Sequence, residues 1–295
     1  MNNSVFTGAG VAIITPMNDD MTVNFEELGR IIDDQIAGST DAIIICGTTG
    51  ESATLTDSEH REVIRYAIEK TAGRIPVIAG TGSNDTSYAI SLSVAAEQMG
   101  ADGLLLVTPY YNKCTQKGLV EHFYAVADAV NIPIIVYSVA SRTGVNINPE
   151  TALELSKHKN IVGIKEASGN ISQVAKIAEL CGEDFAIYSG NDDQIVPVLS
   201  LGGQGVISVL SNVAPKVAHD ICELFFEGKC AQAAKLQLEY LRLCNDLFIE
   251  VNPIPVKEAM ALMGYNVGRC RMPLSVMEEA NKQRLIETLK HYSII

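Results

Sequence analysis

Ile161-Val162-Gly163-Ile164-Lys165, followed by Glu166-Ala167-Ser168-Gly169, is the stretch from which the rest of the chain is read. The apolar run does not alternate with polar residues. A strand here has both faces covered, as in a parallel sheet sandwiched by helices. The run ends in a lysine. Lysine is seldom buried without a partner, and burial disfavours its ammonium form and lowers its pKa. A neutral amine attacks carbonyls, so Lys165 reads as a Schiff-base former. The bland alternative is an ammonium that snorkels to the strand end and pairs with Glu166 or another carboxylate. The residues brought beside it decide between the two.

Outward from this stretch the same unit repeats. Apolar runs precede it at Val11–Thr15, Asp41–Cys46, Pro76–Ala79, Leu104–Val107 and Pro133–Tyr137, and follow it at Phe185–Tyr188 and Val206–Val209. Helical patterns fall between them. One runs from about Asn24 to Ala37, and another opens on the capping box Thr56-Asp57-Ser58-Glu59. A third starts near Thr86 and stops at Gly100. Others run through Phe123, from Pro149, over Ile171–Leu180, to Leu201 and over Val217–Phe226. Eight strands in alternation with helices predict an α/β fold of the (β/α)8 TIM-barrel type. From about Lys229 the pattern is helical only, with helices expected over 230–250, Val256–Met263 and Ser275–His291. The expected division is a barrel over 1–228 and a C-terminal helical extension over 229–295, packed as part of the same unit.

Hydrophobic content of 47% and charged content of 19% describe a globular protein with a large core. The net charge of −13 argues against nucleic acid or anionic membrane as main partners. Anion binding must then be local, through backbone N–H groups or a single arginine. Seven scattered cysteines with no C-x-x-C pair, and an N-terminus without a basic and apolar leader, predict reduced thiols in a cytoplasmic protein.

In this fold the chemistry lies at the carboxyl ends of the strands. Gly47-Thr48-Thr49-Gly50 follows strand two, and its successive N–H groups can cradle an anion as a nest. A carboxylate bound beside an amine that attacks an adjacent keto group suggests a 2-oxo acid; a plain turn is the bland reading. Tyr137 closes strand five with a hydroxyl that can serve carbinolamine chemistry if its proton is relayed, through Thr48 and another tyrosine such as Tyr111. A half-buried tyrosine with a satisfied hydroxyl is the commoner fate of such a position. Arg142 suits a bidentate grip on a substrate carboxylate, with a surface ion pair nearly as plausible. Gly80-x-Gly82 lacks the third glycine of a dinucleotide fingerprint, Asp85 standing there. The five histidines lie in helices or beyond them, which argues against a metal site. The Gly202-Gly203 pair precedes strand eight, at the wrong end for a phosphate site.

GAGVAIITP, CGTTGES, PVIAGTGSN, TPYYNK, the Y-x-x-x-S-R-T-G loop, GIKEASGN, SGNDD, GVISV and NPIPVK, in this order, resemble the pyruvate-dependent class I lyase/synthase superfamily. Within it they resemble the dihydrodipicolinate synthase family. The resemblance implies condensation of pyruvate with L-aspartate 4-semialdehyde to (4S)-4-hydroxy-2,3,4,5-tetrahydrodipicolinate, in lysine and diaminopimelate biosynthesis. It implies Lys165 as the Schiff-base lysine, and Tyr137, Thr48 and Tyr111 as a proton relay, with Tyr111 reaching into a neighbouring subunit's site. Thr49, Ile207 and Gly190 match substrate-binding positions, and Arg142 the semialdehyde's carboxylate guide. No cofactor beyond the covalent pyruvate imine and no metal is implied, and the assembly is expected to be a homotetramer of paired dimers.

Two departures from the family pattern stand out. Ser138 and Ala140 replace the usual Asn and Pro of the loop before Arg142. Without the proline the loop should be looser, giving weaker positioning of Arg142 and a raised semialdehyde KM. Ser52, Ala53, His60, Asn84 and Tyr110 match a regulatory lysine site, but Asp57 and Tyr88 stand where a His and a Glu are usual. Weak or absent inhibition by lysine is expected. The rival readings are an N-acetylneuraminate lyase or 2-keto-3-deoxy sugar-acid aldolase of the same superfamily, and a non-catalytic barrel binding oxo acids. Thr48 and Arg142 favour the synthase.

Overall fold

The computed structural model describes residues 4–295; Met1–Asn3, at the head of the segment read for a leader, lie outside the described residues. Eight parallel strands close into a barrel in sequence order. They are β1 (Gly8–Ala12), β2 (Ala42–Ile45), β3 (Val77–Gly80), β4 (Gly103–Val107), β5 (Ile134–Ser138), β6 (Ile161–Glu166), β7 (Ala186–Ser189) and β8 (Gly205–Ser208). Their residues are buried almost throughout because the barrel has two apolar faces. Inside it, Ala12, Ile44, Ile78, Leu105, Ile135 and Ile207 pack together, with Phe6 stacked on Tyr188 at 4.5 Å. Outside it, a larger core joins sheet and helices through residues such as Ile43, Ile45, Leu104, Leu106, Ile164 and Val206.

The first strand begins earlier than expected, at Gly8 and not at Val11. Glycines are poor strand formers, but the seam of the barrel needs them. Gly8 pairs with Gly205, and a Cβ on Gly205 would lie 1.9 Å from the Gly8 carbonyl oxygen. The long C-terminal helix expected over 230–250 divides at Tyr240 into Cys230–Glu239 and Leu241–Asp246. There the Tyr292 ring stacks on Tyr240 at 4.6 Å, and its hydroxyl donates to the Glu239 carbonyl at 2.6 Å, an insertion of the kind that bends helices. The helix expected from Ser275 starts at Glu279, and the one expected over Val256–Met263 spans Ile254–Leu262. The Thr56 capping box forms as expected, both reciprocal bonds being present. All seven cysteines are unpaired, and among the described residues no helix is long and apolar enough to cross a membrane.

Candidate active site

At the carboxyl ends of the strands a cavity of about 190 Å³ is lined by Thr48, Thr49, Tyr137, Arg142, Lys165 and Gly190, with Asn191, Val209, Phe248 and Asn252. Lys165 and Tyr137 are register partners across β6 and β5. The Lys165 ammonium nitrogen lies 4.3 Å from the centroid of the Tyr137 ring. A cation over a ring face favours the charged amine, but desolvation acts against it and prevails. Burial lowers the Lys165 pKa to about 7; Asp192 opposes the shift and Arg142 adds to it. Glu166 is not its partner. Side chains alternate along a strand, and Glu166 accepts from Ser168 N at 3.1 Å, Ser168 Oγ at 2.9 Å and Gln173 Nε2 at 2.9 Å. The carboxylate that acts on Lys165 is Asp192, which is buried and accepts from the Val209 and Leu210 amides at 3.0 and 2.9 Å.

Burial raises the Tyr137 pKa, and Arg142 and the Thr48 hydroxyl moderate the rise. The phenol therefore stays protonated near neutral pH. Thr48 and Thr49 sit in a turn closed by Gly50 N to Gly47 O and Glu51 N to Thr48 O, both 3.1 Å. The Asn252 side-chain amide donates to Thr49 Oγ1 at 3.0 Å, and the exposed Arg142 donates to the Asn252 carbonyl at 3.3 Å. Arg142 belongs to a short helical turn, Ala140–Thr143. Ser138 is fully buried just before it; its Oγ donates to Asn146 Oδ1 at 3.2 Å and accepts from Ile147 N at 3.1 Å.

Two expected residues are not brought to this cavity, and a third, Asn84, expected in the lysine site, is absent from the lining of the neighbouring cavity. Ile207 is packed in the barrel interior, and Val209 lines the cavity in its stead. Tyr111 is 91% exposed at a left-handed φ of 69° and does not line the cavity. Asn84 uses its carbonyl to accept from Asn112 Nδ2 at 2.9 Å. Ser52, Ala53, His60 and Tyr110 do line a second cavity of about 400 Å³, together with Tyr88. There His60 Nε2 meets the Gly80 carbonyl at 2.8 Å and burial lowers its pKa. The Tyr88 hydroxyl partners Asp57, which Arg61 also grips at 3.0 Å. Among the described residues, one group of metal-type side chains occurs, His219, Asp220 and Glu223. It lies at the far end of the barrel, where His219 meets Asp41 just before β2.

Asn252, Asp192 and Lys257 were not singled out from the sequence for any role. A signal for Lys257 existed. Ile254-Pro255-Val256-Lys257 is a second apolar run ending in a lysine, the pattern that marked Lys165.

Residues 5–292 match the model of the dihydrodipicolinate synthetase family. The chain is 62% identical over 290 residues to the 4-hydroxy-tetrahydrodipicolinate synthase of Caldicellulosiruptor saccharolyticus, with 98% of each chain covered. It superposes on the dihydrodipicolinate synthase of Thermotoga maritima with a TM-score of 0.97 at 40% identity, covering 99% of this chain and 100% of that one. It also superposes on a dihydrodipicolinate synthase from Cyanidioschyzon merolae with lysine bound, with a TM-score of 0.96 at 38% identity, covering 99% and 100%.

Proposed function

This chain belongs to the dihydrodipicolinate synthetase family, and from that premise we propose how its residues divide the work. The enzyme condenses pyruvate with L-aspartate 4-semialdehyde to (4S)-4-hydroxy-2,3,4,5-tetrahydrodipicolinate in lysine biosynthesis. The observation that carries the assignment of roles is a lysine with pKa near 7 in a cavity beside a protonated tyrosine. The neutral Lys165 amine attacks the C2 carbonyl of pyruvate. Tyr137 donates a proton to the carbinolamine hydroxyl, which leaves as water. Thr48 returns a proton to the resulting phenolate. Thr48 takes up a C3 proton as the imine becomes an enamine, and the same relay protonates the alkoxide formed when the enamine carbon attacks the semialdehyde's aldehyde. Attack of the semialdehyde's own amine on the imine carbon then closes the ring and frees Lys165. The protonated imine on Lys165 is the electron sink, so this chemistry needs no organic cofactor or metal.

The Thr48 and Thr49 amides with the Thr49 hydroxyl suit the pyruvate carboxylate, and Gly190 leaves room beside it. Arg142 on the rim suits the semialdehyde carboxylate. Ile207 shapes the floor of the site from the barrel interior. The exposure of Tyr111 supports a role in a neighbouring subunit, and with it the homotetramer of paired dimers. Residues 229–295 are read as part of the same unit as the barrel, a reading supported by the bonds from Asn252, Lys257 and Arg271 to the strand-two loop. Unpaired cysteines support a reducing, cytoplasmic setting. The second cavity is read as a lysine site with its ammonium partner lost, because Tyr88 and Asp57 are engaged with each other.

The test is turnover of pyruvate and L-aspartate 4-semialdehyde coupled to the next reductase. Wild type is expected to turn over and Lys165→Ala to be inactive. Borohydride should trap pyruvate on Lys165. Turnover that survives Lys165→Ala would overturn the assignment.

A further inference from the structure

We propose that Lys257 and Glu51 are positioning residues for the condensation, their buried ion pair holding the Gly47–Glu51 loop so that the Thr48 hydroxyl meets Tyr137. The proposal rests on the relay reading given above. Lys257 and Glu51 are 2% and 4% exposed, and their charged atoms are 2.9 Å apart. The three ammonium protons are all used, on Glu51 Oε1 at 2.9 Å, Arg269 O at 3.0 Å and Thr15 O at 3.2 Å. The other oxygen of Glu51 accepts from Arg271 N at 2.8 Å. Thr15 in turn donates its hydroxyl to the Gly50 carbonyl at 2.7 Å. A helix that starts more than two hundred residues downstream thus grips the loop that carries Thr48 and Thr49.

The backbone gives the reason for such a grip. Cys46 and Glu51 bracket the loop, and both sit at a left-handed φ of 55°. Non-glycine residues rarely adopt this conformation, and glycine would do so with least strain. A glutamate at that position makes sense when its side-chain contacts offset the strain. Stability alone is a poor account of the pair, since buried ion pairs are often replaced by apolar side chains at no loss. Fixing one loop geometry is the function such a pair serves best. The loop conformation it fixes determines whether Thr48 can reach the Tyr137 oxygen.

A double-mutant cycle on the assembled enzyme tests this, with kcat referred to folded protein and Tm followed in parallel. Thr48→Val is expected to lower kcat by about a hundredfold or more, as for loss of a proton-transfer group. Lys257→Met is expected to lower kcat by about tenfold or more, with Lys257→Arg recovering part of the loss. Because Lys257 acts through Thr48, the double variant should match Thr48→Val within about twofold. Full additivity, or a lowered Tm with kcat per folded subunit unchanged, would overturn the positioning role. An unaffected Thr48→Val would overturn the relay reading and the proposal with it, which separates the two failures. Should Lys257→Met not fold, Glu51→Gln enters the same cycle, keeping the side-chain shape while removing its charge and one of its two acceptor oxygens.

Discussion

Lys165 carries both the chemistry and a cost to the fold. Its pKa near 7, against an ordinary 10.5, means that imine formation should accelerate as pH rises through about 7 and then level off, as the free amine becomes the main form. Stopped-flow trapping of pyruvate between pH 6 and 9 would check this; a profile flat until pH 9 would contradict it. The sign of the stability effect follows from the same shift. Between about 7 and 10.5 the unfolded chain holds a proton on this lysine that the folded chain does not. Its cost to folding is therefore full below about pH 7, shrinks progressively as pH rises across that window and is gone above about 10.5. Lys165→Met removes a desolvated amine, so the inactive variant should melt higher than wild type at pH 7. Lys165, Tyr137 and Thr48 were legible in the sequence because each ends or follows a strand, where this fold collects reactive groups. Asp192 was not. Its influence on Lys165 depends on β6 and β7 lying side by side, a relation invisible in the residue's own neighbourhood.

Two loops bear on the proposed substrate handling and regulation. The loop before Arg142 lacks the family's proline at Ala140 and is held by hydrogen bonds. Ser138 makes two side-chain hydrogen bonds, and Gly144 N caps the turn on Ala140 O at 2.8 Å. Ala140 opens the turn, where proline is tolerated. Ala140→Pro should therefore stabilise by about 0.4–1 kcal/mol through the unfolded state. Combined with Ser138→Asn, it should lower the semialdehyde KM while leaving the pyruvate KM in place. Urea titration and initial rates check the two effects, and an unchanged semialdehyde KM would sink the loop argument. At the second cavity, the lining residue Tyr88 engages Asp57, which is already satisfied by Arg61 as well. Wild type should resist micromolar lysine. Tyr88→Glu with Asp57→His should lower the inhibitory concentration by about tenfold or more, a charged partner for a buried ammonium being worth that much. Inhibition assays with lysine decide this, and sensitivity of the wild type at micromolar lysine would refute it.

The whole molecule depends on closure of the barrel, and its proposed activity on the proposed assembly. At the seam of β1 and β8 a methyl on Gly205 would overlap the Gly8 carbonyl. Gly205→Ala should cost about 3 kcal/mol or more, the upper range for overpacking, measured by denaturant unfolding; a smaller loss would mean that the seam can open. Assembly is tested through Tyr111. Tyr111→Phe and Lys165→Ala should each be severely impaired, while a refolded mixture recovers activity, since a hybrid pair combines Lys165 of one subunit with Tyr111 of the other. No recovery would place Tyr111 outside the neighbour's site. Alternation of apolar runs with helical patterns sufficed to imply a parallel eight-stranded barrel, because both signals are local: burial on two faces erases polar alternation, and strand ends show where polarity resumes. The position of β1, the break at Tyr240 and the grip of Lys257 on Glu51 were decided only by tertiary structure. Each depends on one atom meeting another from a distant part of the chain, a carbonyl against a missing Cβ, a hydroxyl against a helix turn, an ammonium against a carboxylate. Periodicity carries no record of such meetings, whereas a lysine at the end of an apolar run announces itself.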